Sequence, residues 1–278
     1  MRIAVVSPPL IAKEVDANLT AVRQIISDNH DLGIGLYVFP ENNLAGGFWK
    51  AYENDLATLT DNWPFPDAVE AVNGITADYG IGIGCGHIEN DGGYYITHFL
   101  SENGRMLGKQ RKLYPQNPTR ERFLKSGNAL SDIEFHGFTI HILACSNFCF
   151  PELAVLSGIQ QPDMILSPTD TYAAQQHEMN VVTTYLRARA LDTGAYTICS
   201  FGDSGAGSSR IMAAAAYDGR GGELLLRTKE RGDTDIAVID IELKKARQVW
   251  GGSRSRKDLL IECLLRDQEK QELETEKA

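Results

Sequence analysis

The sequence predicts an α/β protein whose strands divide between two large sheets with helices outside them. Three observations carry this. The first segment opens β-α-β, the stretch from Gly80 to Leu113 reads as a three-stranded meander, and the later chain adds strand runs separated by Gly- and Asp-rich breaks. Two sheets accommodate these runs better than a single Rossmann sheet.

Taken in order, Ile3 to Ser7 is a strand-like run, and Asp16 to His30 a helix with Leu19, Val22, Ile25 and Ile26 on one face. Gly35 to Phe39 is a buried strand. A second helix is expected from Asp67, with Glu70 completing a capping box, running toward Tyr79. Gly80 to Ile88, Gly92 to Leu100 and Arg105 to Leu113 form the meander, joined by Asn- and Gly-containing turns that supply positive φ. Phe135 to Cys145 reads as one strand, Pro151 to Ser157 as a helical start, Asp163 to Leu166 as a short strand and Glu178 to Asp192 as a helix. Tyr196 to Phe201, Ile211 to Ala216, Glu223 to Arg227 and Ile236 to Ile241 complete the strands. The expected organisation is one domain over residues 1–266 and a polar tail over 267–278.

The 278 residues carry 27 basic and 37 acidic side chains, a formal net charge of -10, and 43% of them are hydrophobic. A large core is therefore possible, and a disordered chain is excluded. The acidic balance gives no general field for phosphate backbones or anionic lipid, so neither nucleic acid nor membrane is an expected partner. The opening MRIAVVSPPL has no secretory pattern, and no run reaches the roughly 18 apolar residues of a membrane span, so a cytoplasmic protein is expected. Five cysteines without CxxC spacing suit a reducing compartment and offer no zinc pattern. Gly202 to Gly207 lacks the strand-to-helix setting of a nucleotide fingerprint, and no cofactor is expected.

Chemistry concentrates at strand ends. Cys145 ends an apolar run just before a helix, where a thiol can face a cleft with backbone N–H groups nearby. Glu41 follows Leu36 to Pro40, and Lys112 ends the third meander strand. A carboxylate can take the proton of a thiol, and an ammonium can stabilise developing oxygen charge, so the three types together make a competent nucleophilic site. Spacing alone does not bring them together.

Phe39-Pro40-Glu41, Arg111-Lys112-Leu113 and Cys145 followed by Phe150-Pro151-Glu152 resemble, in this order, the three signature regions of the nitrilase, or carbon-nitrogen hydrolase, superfamily. The likeness extends through Glu121 to Gly127, Arg187 to Ala190 and Gly207 to Ser209, nearly to Leu243. It implies an α-β-β-α sandwich and commonly a homodimer. It also implies that Cys145 is the nucleophile, Glu41 the general base and later acid, Lys112 the cationic stabiliser, and Glu121 a further active-site glutamate. The chain departs from many relatives at Asn147, where Asp is common, at Cys149, where Arg is frequent, and at Tyr114, where several branches have His.

The function expected is hydrolysis of a non-peptide C–N bond in a small amide or N-carbamoyl compound through a thioester, with water as co-substrate and no metal. Nitrile hydrolysis is one alternative, and a non-catalytic binding or assembly module with a degenerate site is another. Trp49, Asn147 and Asp170 are the candidate substrate contacts, while His177, Arg187 and Arg189 suit structural places.

Overall fold

The computed structural model describes residues 1–47, 53–115, 121–170, 176–203 and 209–243. Trp49, Trp250, the side chain of His177 and the polar tail lie outside the described residues.

The strands are β1 (Arg2–Ser7), β2 (Leu36–Val38), β3 (Gly82–Asn90), β4 (Tyr94–Glu102), β5 (Arg105–Arg111), β6 (Ile133–Phe135), β7 (Phe138–Ile142), β8 (Met164–Leu166), β9 (Tyr196–Ser200), β10 (Arg210–Tyr217), β11 (Glu223–Glu230) and β12 (Asp235–Asp240). The helices are α1 (Val15–Asn29), α2 (Glu53–Asn62), α3 (Phe65–Tyr79), α4 (Pro151–Gln160) and α5 (Gln176–Thr193). One six-stranded sheet runs β12-β1-β2-β3-β4-β5 and the other β11-β10-β9-β8-β7-β6. In the first, β1, β2 and β3 are parallel and the others antiparallel to their neighbours; in the second, β7, β8 and β9 are the parallel trio.

Period-two alternation sorts the strands' side chains into separate cores. On β1, Ala4 and Val6 join the cluster beneath α1 and α3, whereas Ile3 and Val5 face the second sheet. Leu166 and Ile198 enter that inter-sheet core, and Ile165 and Cys199 turn instead toward Leu186 and Ala190 of α5. The result is a helix-sheet-sheet-helix sandwich, as expected. Gly82 shows how closely the sheets approach: a Cβ there would lie 2.6 Å from the Phe135 ring.

Three local expectations are corrected. The run from Phe135 to Cys145 is not one strand, because His136 and Gly137 take φ of 50° and 80° and fold β6 back onto β7 as a two-residue hairpin. Helix α3 starts at Phe65, and its N-cap is Pro64, with Pro in the first turn and no side-chain cap, so Asp67 and Glu70 form no capping box. Helix α2 is additional; only Leu56, Leu59 and Thr60 mark its buried side.

Candidate active site

Strand direction brings the site together. Glu41 follows β2, Lys112 follows β5, Cys145 follows β7 and Asp170 follows β8, so each candidate sits just beyond the carboxyl end of a strand, where open α/β sheets leave a crevice. Glu41 and Lys112 come from one sheet, Cys145 and Asp170 from the other.

The turn carrying Glu41 is tied to β3 in both directions. Leu44 N–H donates to Gly86 O at 3.0 Å, and Gly86 N–H donates to Asn43 Oδ1 at 2.8 Å. The carboxylate is 1% exposed. Lys112 Nζ lies 3.2 Å from Glu41 Oε1 and donates to Glu121 Oε1 at 2.7 Å, with all three side chains buried. The Cys145 thiol is also within reach of Glu41. Neither the lysine nor the thiol contact is aligned as a full hydrogen bond, so both Glu41 oxygens keep acceptor capacity.

Cys145 opens a 3-10 turn, Cys145–Cys149, with φ of 50°. A non-glycine residue in this left-handed region costs about 1–2 kcal/mol and is held only where its surroundings demand it. Here the Cys145 N–H donates to Pro168 O at 2.8 Å and the Asn147 N–H to Ala144 O at 3.1 Å. Those two amides beside the sulfur are therefore engaged. Lys112 places a cation in the same buried group. An ammonium has three protons, and Glu41 and Glu121 face two of them.

Burial pushes the Cys145 thiol well above its ordinary pKa, the negative charges of Glu41, Glu121 and Asp170 push it further, and Lys112 opposes them. Glu41 is raised first by burial and then by Glu121, against the pull of Lys112. Burial disfavours the Lys112 ammonium, but Glu41, Cys145 and Glu121 outweigh it and the group stays charged. The resting thiol is thus protonated beside a carboxylate of unusual basicity, which suits proton transfer during attack rather than a preformed thiolate.

Asp170 is 3% exposed and reaches Cys145 electrostatically. Glycine makes the room for it: a Cβ on Gly47 would lie 3.1 Å, and one on Gly202 3.2 Å, from its Oδ1. Asn147 is placed otherwise than expected of a substrate contact. Its buried carboxamide accepts from Leu113 N–H at 2.8 Å and Tyr114 N–H at 3.3 Å, and donates to Tyr114 O at 3.0 Å. Arg189 pairs with Asp192 at 2.5 Å, and Arg187 lines an outer groove with Tyr217. The sequence offers no cue to Asn43, whose role depends on a partner 43 residues away.

The carbon-nitrogen hydrolase family model matches residues 2–249, nearly the whole chain. The chain belongs to the carbon-nitrogen hydrolase family. No curated protein matches it. Among solved structures it is similar to the NitN amidase from Nesterenkonia sp. AN1, at 19% identity and TM-score 0.74, covering 92% of this chain and 98% of that one. A mutant of the same amidase, described as from the nitrilase superfamily, matches at 19% identity and TM-score 0.74, over 92% and 96%. Another, showing Michael addition of acrylamide at its active-site cysteine, matches at 18% and 0.72, over 89% and 96%. The family and this fold make the chain a cysteine-dependent carbon-nitrogen hydrolase. Among the described residues, no His, Cys, Asp and Glu group could hold a metal, and no helix is long and apolar enough to cross a membrane.

Proposed function

We propose that the protein hydrolyses a small amide or N-carbamoyl compound, with Cys145 as nucleophile, Glu41 as base and then acid, Lys112 as oxyanion stabiliser and Glu121 holding Lys112. The observation that carries this is the burial of Glu41 and Lys112 with their charged ends 3.2 Å apart and the Cys145 thiol within reach of the same carboxylate. The amidase of similar fold, with acrylamide added at its cysteine, favours a small amide as the first substrate class to test.

In this cycle Glu41 accepts the Cys145 proton as sulfur bonds to the carbonyl carbon, and the oxygen takes up negative charge facing the third Lys112 proton. The C–N bond then breaks, and Glu41 returns the proton to the departing nitrogen as ammonia or amine. Water next gives a proton to Glu41 and attacks the thioester. The C–S bond breaks, the sulfur regains the proton from Glu41, and the carboxylic acid leaves.

Release of ammonia or amine from a panel of small amides, ureido acids and nitriles tests the reading. Turnover of amides or ureido compounds that falls to background in Cys145→Ala is expected. A well-folded Cys145→Ala protein with the parent rate overturns the nucleophile assignment. A homodimer belongs to the same proposal, supported by exposed Val155, Leu156 and Val181 on α4 and α5; light scattering that gives a monomer mass contradicts it.

A further inference from the structure

We infer that Asn147 is a positioning residue that ties the Lys112 segment of one sheet to the Cys145 turn of the other. This rests on the catalytic reading of Cys145 and Lys112 above. Lys112 leaves β5, the edge strand of the first sheet, and its backbone is fixed on its own side, with its N–H donating to Ile96 O and its O accepting from Gly127 N–H, both at 2.8 Å. The next two residues are received by the other sheet. Asn147, two residues beyond Cys145 in the same 3-10 turn, accepts from both Leu113 and Tyr114 N–H and donates to Tyr114 O.

A carboxamide suits this place because it accepts and donates at once. An Asp side chain keeps the two accepting contacts and loses the donation to Tyr114 O. An Ala side chain loses all three and strands two backbone N–H groups. The Tyr114 and Phe150 rings, edge to face at 5.1 Å, cover the same junction. Leu113, 5% exposed, anchors the strand end in the core beneath α5. These contacts keep the segment near the turn when Asn147 is removed, but they fix neither its height nor its rotation, and Lys112 Nζ depends on both.

The groups facing Glu41 are Lys112 from β5, Glu121 from the segment after it and Cys145 from the opposite sheet. Of these only Lys112 lowers the Glu41 pKa by charge, and it does the same for the Cys145 thiol. Loosening Lys112 therefore moves both titrations upward.

The test compares Asn147→Ala and Asn147→Asp with the parent, each checked by circular dichroism and thermal melting. In Asn147→Ala, kcat is expected to fall about 100-fold with KM changed far less, the loss typical of a misplacement near 1 Å. The acid limb of its kcat/KM profile should move to higher pH. Asn147→Asp should recover most of the rate. Independently of turnover, iodoacetamide alkylation mapped to Cys145 by mass spectrometry should slow by about tenfold in Asn147→Ala, one pKa step in the thiol. A folded Asn147→Ala protein with parental alkylation rate, kcat and acid limb overturns the inference. Loss of activity that tracks only the folded fraction, with the alkylation rate per folded molecule unchanged, overturns it too. Failure of the catalytic reading shows separately, as Cys145→Ala retaining hydrolysis.

Discussion

Cys145 is held away from its ordinary state twice over, in its backbone at φ 50° and in a thiol whose proton is bound more tightly than usual. The second follows from burying a sulfur beside the negative charges of Glu41, Glu121 and Asp170. In the proposed cycle Glu41 must be ionised to accept the thiol proton, and its pKa is raised by burial and by Glu121. Activity therefore falls as pH drops through a value above the ordinary carboxylate range. The acid limb of kcat/KM should lie above about pH 4.5, the unperturbed value; a limb at or below it contradicts the buried pairing. Lys112→Met should lower kcat by about 100- to 1000-fold, the cost typical of losing one oxyanion donor, and a change under tenfold contradicts its role. The identities and chain order of Glu41, Lys112 and Cys145 were legible as motifs, since each occupies a signature position, and Glu121 was legible from the likeness that continues beyond them. The place of Asn147 was not. Nothing in its identity says whether its amide faces a ligand or a backbone 33 and 34 residues away.

The meander β3-β4-β5 carries Lys112 into position, and its outer end is fastened by Glu89. Arg111 forks onto the Glu89 carboxylate at 2.8 and 2.9 Å, while Lys109 and Thr97 bind the same group. Burial works against ionisation there, but Arg111, Lys109 and Thr97 outweigh it and hold the carboxyl at about 2. A folded pKa below the unfolded one adds stability that is fully present above about pH 4.5 and is lost as pH falls toward 2. Glu89→Gln should cost about 1–3 kcal/mol at neutral pH, less than for a fully buried pair because Lys109 and Arg111 are partly exposed, and should flatten the stability curve over that acid window. Denaturant melts at several pH values measure both, and a parallel, undiminished acid slope contradicts the account. The three strands of this meander were legible from alternation and Asn-Gly turns. The β6-β7 hairpin was hidden because its two-residue turn uses His136 with Gly137, and α2 because its buried side is only Leu56, Leu59 and Thr60.

For the whole molecule, function depends on two sheets held at a fixed spacing, since the proposed base and cation belong to one and the proposed nucleophile to the other. Lys229 on β11 donates to Ser7 O at 2.8 Å, and Ser7 Oγ donates to Phe201 O at 2.5 Å, joining the sheets near the site end. At the far end Gly82 admits the Phe135 ring. Gly82→Ala places a methyl 2.6 Å from that ring and should destabilise by about 1–3 kcal/mol through overpacking. A thermal melt that leaves Tm unchanged would show that the sheets separate without cost. The sandwich itself was legible from the strand count together with the family likeness, because each strand's alternation already assigns one side to helices and one to the other sheet. The contacts that set the spacing were not, as they join residues such as Ser7 and Lys229 that are 222 positions apart.

The most direct test of covalent catalysis at Cys145 is peptide-level mass spectrometry of the protein quenched during turnover of a small amide. An acyl group carried by the peptide containing Cys145, accumulating and then decaying as carboxylate appears, is the expected result. Steady turnover with that peptide unmodified and the acyl group on another residue contradicts the account.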